Sequence, residues 1–297
     1  MTTTHTPRAL VFGTTGQVAI ELGRNAPLVG LTLDCVGRDR ADLTDPAACA
    51  ALVAATDADV VINAAAYTAV DQAEGDRATA QLVNADAPGA MARAAAARGL
   101  PFLHVSTDYV FDGSATRPWR EDDPVAPLGV YGATKLDGER QVAAAGGEHV
   151  ILRTAWVYSA HGRNFVRTML RLGAERETLS VVDDQRGGPT AAHEIARTLI
   201  AIALAFIEGR GTSGIFHFAG QPACSWADFA EAVFAASSLP GKPVVTRIPT
   251  SAYPTPARRP ANSVLDCTKI RDVYGIGQPD WRTGLRKVVQ ELESRHE

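Results

Sequence analysis

The sequence predicts an α/β fold, a doubly wound parallel sheet with a smaller C-terminal lobe built from separated segments. Three observations carry this. Short, almost wholly apolar runs alternate with helical patterns through the first half, as strands covered on both faces require. The first run ends in a glycine-containing turn, Gly13-Thr14-Thr15-Gly16-Gln17-Val18-Ala19. The second half is less regular, and its stretch of prolines and arginines cannot be continuous helix.

In chain order, 8–12 is the first strand and a helix begins at Gln17. The second strand is 31–36, and a helix over 46–55 opens with Asp45 as cap and Pro46 at its first position. The third strand is 59–63, an alanine-rich helix covers 77–98, the fourth strand is 101–106, and another is 150–153. Beyond these the pattern predicts a helix over 164–172, a strand over 178–182, a polar loop over 183–189 and a helix over 192–208. A strand over 214–218 follows, then a helix from Ser225 with Asp228 as capping partner, irregular chain over 250–260, and a closing amphipathic helix over 281–292.

With 297 residues, 46% hydrophobic and 21% charged, the chain can bury a sizeable core. A net charge of -4 leaves no surplus of positive charge for a nucleic-acid backbone. No apolar run approaches the ~18 residues of a membrane span. Residues 1–7 are polar, with neither the apolar stretch nor the cleavage site of a signal peptide, so the expected location is cytoplasmic. Cys35, Cys49, Cys224 and Cys267 form no Cys-x-x-Cys pair and have no histidine at zinc spacing, which predicts inert thiols and no metal.

The turn after the first strand explains its own composition. Gly13 supplies backbone freedom, and Gly16 lets a pyrophosphate approach. The helix from Gln17 and Val18 offers free N–H groups and its positive end to phosphates, and the small Ala19 lets helix and strand pack closely. Together with the strand-helix alternation, this reads as a Rossmann-type dinucleotide site. Arg38, just after the second strand, suits a 2′-phosphate, so NADPH is the expected cofactor with NADH as the alternative. Asp42 and Leu43 are placed to flank the adenine. The small residues Ala64, Ala65 and Ala66 after the third strand let the cofactor backbone lie close.

Tyr131 and Lys135 form Tyr-x-x-x-Lys, whose members share one helix face. An ammonium beside a phenol favours phenolate and lowers its pKa toward neutrality. Thr107, at the carboxyl end of the fourth strand, points to the crevice where such sheets bind ligands. Thr107, Tyr131 and Lys135 are therefore the expected hydride-transfer constellation. His104 reads as a satisfied core histidine, His161 and His217 as without chemistry, and Trp226 and Trp281 as core aromatics.

These residues resemble those of the dTDP-4-dehydrorhamnose reductases, in the extended short-chain dehydrogenase/reductase superfamily. The resemblance covers most of the chain and includes Ser106-Thr107-Asp108-Tyr109-Val110-Phe111, Tyr131-Gly132-Ala133-Thr134-Lys135-Leu136 and Asp184-Gln185-Arg186-Gly187-Gly188-Pro189-Thr190. It implies NADPH-dependent reduction of a 4-keto sugar on dTDP, giving dTDP-L-rhamnose. By position it implies Thr107, Tyr131 and Lys135 as catalytic residues, with Thr107, Asp108 and Trp156 at the sugar. It also implies Gly16, Gln17, Val18, Asp42, Leu43, Ala65, Ala66 and Thr68 at the cofactor. Arg258 or Arg259 suits the diphosphate on electrostatic grounds. Some members dimerise through magnesium held by glutamates. Glu21 matches one such position but reads as a solvated helix residue, and His193 stands where another glutamate is expected, so no metal-bridged dimer is predicted and the oligomeric state stays open. Two other readings stay open: another nucleotide-sugar 4-ketoreductase or epimerase, and a non-catalytic NADP-binding regulatory subunit. The expected division is a cofactor domain over 1–155, with 190–218 returning to it, and a substrate lobe over 156–189 and 219–297.

Overall fold

The structure is a computed structural model that describes residues 6–295, so the first five residues of the polar start lie outside the described residues. Six strands form the main sheet: β1 (Arg8–Phe12), β2 (Thr32–Val36), β3 (Val60–Asn63), β4 (Phe102–Thr107), β5 (His149–Thr154) and the edge strand Gly214–His217. All neighbouring pairs are parallel, and β1 lies between β2 and β3. The strand order reverses at β1, which opens a crevice at the carboxyl ends of the strands. Register brings those ends level: Phe12 faces Asn63, Asn63 faces His104, and Thr107 faces Thr154.

Alternate residues of each strand serve opposite cores. Val11, Ile62, Leu103 and Leu152 pack with Leu22 of the helix α1 (Gln17–Asn25) and with the helix Ala192–Ile207. Leu10, Phe12, Val61, Phe102 and Ile151 pack with Val53 and Met91 on the other face. A third core gathers Tyr158, Val166, Phe229, Trp281 and Val288 from the second half.

The local signals explain most boundaries. Asp45 accepts the Ala47 and Ala48 N–H groups at 3.1 and 3.0 Å and opens the helix Pro46–Ala55. Ser225 and Asp228 make the reciprocal capping box of the helix Trp226–Ala236. The predicted continuous helix over 77–98 is corrected. It runs as Arg77–Gln81, a π turn over Leu82–Asp86, then Ala87–Ala97. Pro88 has no N–H for the Asn84 carbonyl and would collide with it in regular helix, so the turn widens. The loop over 183–189 contains a two-residue strand, Arg186–Gly187. The strand Val244–Ile248, parallel to Thr178–Val182, and the helix Thr268–Tyr274 carried no sequence signal strong enough to be predicted. No helix among the described residues is long and apolar enough to cross a membrane.

Candidate active site

The glycine turn sits against the end of β3. Gly13 adopts φ +122°, where a side chain is strained, and a Cβ there would lie 3.3 Å from Ala19 Cβ. Gly16 has ordinary φ, and a Cβ there would meet nothing closer than the Ala64 oxygen at 3.9 Å. The protein's own packing does not demand a glycine at 16. Gly16 also provides no side-chain cap to α1, leaving the first N–H groups of that helix to an outside acceptor. A cradle that a Cβ would fill, beside an uncapped helix start, fits a dinucleotide pyrophosphate. Gln17 Oε1 is held by Ser159 Oγ at 2.8 Å and Asn164 Nδ2 at 3.0 Å, tying α1 to the second half of the chain.

Of the other predicted cofactor residues, Asp42 and Leu43 follow β2, and Ala65, Ala66 and Thr68 follow β3. Val18 is buried, Ala65, Ala66 and Leu43 are half-buried, and Thr68 is exposed. Asp42 accepts the Thr44 N–H at 2.9 Å, which holds its carboxyl below the usual range. Arg38 is largely exposed, 3.9 Å from Asp42. Asp34 is occupied by Arg40 at 2.6 Å.

The helix Val130–Ala144 brings Tyr131 and Lys135 beside β4. Its close approach depends on two glycines. A Cβ at Gly132 would strike the Tyr109 carbonyl, and one at Gly138 would strike the Asn84 carbonyl freed by the π turn. Asn84 Nδ2 donates to Thr134 Oγ1 at 3.2 Å and to the Tyr67 carbonyl at 3.2 Å, joining this helix to the loop after β3. Thr107 is buried, donates to Asp108 Oδ1 at 3.0 Å and accepts the Tyr109 N–H at 3.2 Å. Tyr131 meets Tyr109 edge-on, with ring centroids 5.6 Å apart.

The electrostatics differ from the expected pairing. Burial pushes the Tyr131 phenol up to about 12, with the Thr107 hydroxyl pulling the other way. Lys135 does not lower it, because its Nζ is turned to the Val105 carbonyl at 2.7 Å and to His104 Nε2 at 3.2 Å. Burial pulls Lys135 itself down to about 8. Burial also pushes the Asp108 carboxyl up to about 6, tempered by the hydroxyls of Ser263 and Thr107.

Trp156 is half-buried at φ +47°, and its ring stacks on Trp226 at 3.5 Å between centroids. Trp226 is thus a half-buried partner of Trp156 that packs on the edge of a core, whereas Trp281 is fully inside it. Gly187 packs against the edge of the Trp156 indole. Arg259 donates to Asp71 Oδ2 at 2.9 Å and lies over the Tyr109 ring, whereas Arg258 is exposed. Sequence reasoning assigned no role to Asn63, Asn84, Glu139 and Arg153, and it read His104 as core only. The available signal was polar residues at alternate positions of an apolar strand, His104 and Ser106, which must find buried partners.

Comparison with known proteins places this geometry. A family model described as RmlD substrate binding domain matches residues 7–294. The dTDP-4-dehydrorhamnose reductase of Burkholderia thailandensis is 47% identical over 97% of this chain and 100% of its own length. The chain belongs to the dTDP-4-dehydrorhamnose reductase family. A reductase of that name from Escherichia coli strain K12 is 43% identical over 95% of this chain and 97% of its own length. A crystal structure of the dTDP-4-dehydrorhamnose reductase of Bacillus anthracis in complex with NADP superposes with a TM-score of 0.88 at 31% identity, covering 97% of this chain and 100% of that one.

The magnesium site implied for some dTDP-4-dehydrorhamnose reductases does not suit these residues. Glu21 is not the solvated position expected. It is 5% exposed, beneath Arg24 and His161, each 3.2 Å from its Oε1. Glu21, His161 and Glu291 converge within 4.8 Å, but Arg24 and Arg295 already reach Glu291 at 2.8 and 2.6 Å. A nitrogen donor and two guanidiniums make a poor magnesium site, which wants oxygen ligands and open charge. His193 Nε2 lies 3.1 Å from Glu194 Oε1 without a hydrogen bond between them, and it is a nitrogen where an oxygen ligand would be needed.

Proposed function

We propose that this protein reduces the C4 keto group of dTDP-4-dehydro-L-rhamnose to dTDP-L-rhamnose, with NADPH as reductant. The observation that carries the reading is the convergence of Thr107, Tyr131 and Lys135 at the carboxyl end of β4, beside a glycine turn with an uncapped helix start. Bound at that turn, NADPH supplies the hydride. Thr107 and Tyr131 hydrogen-bond the substrate carbonyl, and Tyr131 gives its phenolic proton to the oxygen as negative charge develops there. A phenol held near 12 stays protonated at neutral pH, as a donor must. Asp108 and Trp156 meet the deoxysugar, the indole face covering its apolar surface.

The cofactor lies against Gly13, Gly16, Gln17 and Val18, with Asp42 and Leu43 near the adenine and Ala65, Ala66 and Thr68 along its length. Arg38, exposed and reaching only the distant Asp42, suits a 2′-phosphate, while Arg40 keeps Asp34 from the ribose hydroxyls that NADH would offer. This favours NADPH over NADH. Residues 1–155 with 190–218 then serve the cofactor, and 156–189 with 219–297 serve the sugar nucleotide, in a cytoplasmic enzyme.

A coupled assay tests the reading. dTDP-glucose is converted in situ by a 4,6-dehydratase and a 3,5-epimerase, and NADPH oxidation is followed by absorbance. Oxidation only with both upstream enzymes is expected. Equal oxidation without the epimerase would make the unepimerised 4-keto sugar the substrate. NADP binding without any oxidation would favour a regulatory subunit.

A further inference from the structure

His104 is fully buried in β4, and both ring nitrogens meet side-chain nitrogens. Nδ1 lies 3.1 Å from Asn63 Nδ2, and Nε2 lies 3.2 Å from Lys135 Nζ. Each nitrogen-to-nitrogen contact needs one lone pair. The orientation of Asn63 decides where those lone pairs are. Its Oδ1 accepts the Ala65 backbone N–H at 3.1 Å, and turning the amide over would set two donors against each other there. Asn63 Nδ2–H therefore points at His104 Nδ1, which must accept. A neutral imidazole that accepts at Nδ1 carries its proton on Nε2. That proton faces Lys135 Nζ. An ammonium has three N–H donors and no lone pair, so only the amine can accept it.

We propose that His104 is a positioning residue for Lys135: its tautomer is preset by the Ala65–Asn63 hydrogen bond, and its Nε2–H holds Lys135 as an uncharged amine in the free protein. The proposal deepens the reading above by naming what sets the charge of the site lysine, but the polarity of the chain is a property of the free protein alone. The amine donates onward to the Val105 carbonyl at 2.7 Å. An imidazolium at His104 would turn Nδ1–H against Asn63 Nδ2, and burial with Lys135 nearby holds the ring well below its ordinary range. The surrounding groups permit the amine. Glu139, on the same helix, favours the ammonium, but its carboxylate is bound by Arg153 of β5 at 2.7 Å and by Ser106 of β4 at 2.5 Å. Asn63 of β3 is neutral, and Asp108 and Tyr131 engage Thr107. Burial moves Lys135 in the same direction, down to about 8. An uncharged Lys135 exerts no pull on Tyr131, which agrees with the phenol's position.

The chain has four lysines, Lys135, Lys242, Lys269 and Lys287, and 7 histidines, so nitrogen spectra can be assigned by single substitutions. Long-range 1H–15N spectra of the protein without nucleotide are expected to show His104 as the Nε2–H tautomer, identified by its loss in His104→Gln. Lysine 13Cε/15Nζ spectra are expected to show Lys135 as an amine already at neutral pH, below the value of about 8 that burial accounts for. Asn63→Asp replaces the donor facing Nδ1 with an acceptor, which reverses the tautomer and turns Nε2 into an acceptor. His104→Gln offers Lys135 an amide oxygen. Each should raise the Lys135 midpoint by about one pH unit or more, a tenfold gain in proton affinity. Loss of burial or the added carboxylate would also raise the midpoint, so the tautomer of His104 in the unsubstituted protein and its reversal in Asn63→Asp carry the test, and the midpoints must move with them. The proposal is overturned if His104 is the Nδ1–H tautomer or an imidazolium in the unsubstituted protein. It is equally overturned if Lys135 is still an ammonium at neutral pH in the unsubstituted protein, or if its midpoint stays put in His104→Gln. Should Asn63→Asp not fold, the tautomer and His104→Gln still decide. None of these readouts uses turnover, so failure of the reductase assay is a separate result.

Discussion

Arg153 and Glu139 form a bidentate ion pair inside the protein, Nη2 to Oε2 at 2.7 Å and Nε to Oε1 at 3.0 Å, with both side chains 2% exposed. It joins β5 to the helix that carries Tyr131 and Lys135, and Ser106 Oγ adds a bond from β4. Removing one partner strands a buried charge. Glu139→Ala should therefore cost about 3–5 kcal/mol of stability, and the double variant Arg153→Met/Glu139→Leu should cost less than either single change. Urea unfolding of the three variants measures this, and a double variant that loses as much as both singles combined would contradict it.

Tyr131→Phe removes the proposed proton donor while keeping the ring packed on Tyr109. kcat should fall by about two orders of magnitude, with NADPH affinity little changed. Steady-state kinetics and a nucleotide titration provide the two numbers. Near-normal turnover would remove Tyr131 from the chemistry.

The two turn glycines should separate in function. Gly13→Ala places a side chain at φ +122° and 3.3 Å from Ala19 Cβ, and should lose about 1–3 kcal/mol of stability. Gly16→Ala enters free space and should fold as well as the parent. Its methyl group should nonetheless weaken NADPH binding by roughly tenfold, about 1.4 kcal/mol. Thermal unfolding alongside cofactor titration tests the contrast, and unimpaired binding by Gly16→Ala would place the pyrophosphate elsewhere.

Asp108 carries a carboxyl raised from 3.8 to about 6 by burial. Between those values the folded state binds more protons than the unfolded one, so stability falls as pH rises through the window. Asp108→Asn removes the charge and should be more stable than the parent at pH 7, by up to about 3 kcal/mol at ~1.4 kcal/mol per pH unit. The gap should close as the pH drops from 6 toward 4. A constant difference across that range would mean that the carboxyl does not titrate as described.

Much of this was legible in the residues. The apolar run of β1, the Gly13 turn, and Asp45 with Pro46 are local signals whose physics acts within a few positions. They set strand ends and helix starts to within a residue or two. That Tyr131, Lys135 and Thr107 lie near the end of β4 was legible from spacing and strand position, whereas the turn of Lys135 toward His104 and Val105 was not. The continuous helix over 77–98 was misread because Pro88 at the start of a helical segment looks permissible. There Pro88 leaves the Asn84 carbonyl without its helical donor, and the turn widens with Gly138 packed so closely on that carbonyl that a Cβ would collide with it. Glu21 was misread because a carboxylate on a helix is usually solvated, and its cationic neighbours come from Arg24 and from the distant His161.

The sequence alone determined the parallel α/β architecture and the glycine turn at the end of its first strand, and it offered the side chains on which the proposed reaction is built, because hydrophobic period and residue chemistry are local properties. Tertiary structure alone decided the electrical state of the site. Whether Lys135 faces Tyr131 or His104 depends on an amide in β3, a ring in β4 and a helix more than sixty residues beyond β3. Charge in a buried site is set by which dipoles surround it, and those partners are assembled only by folding.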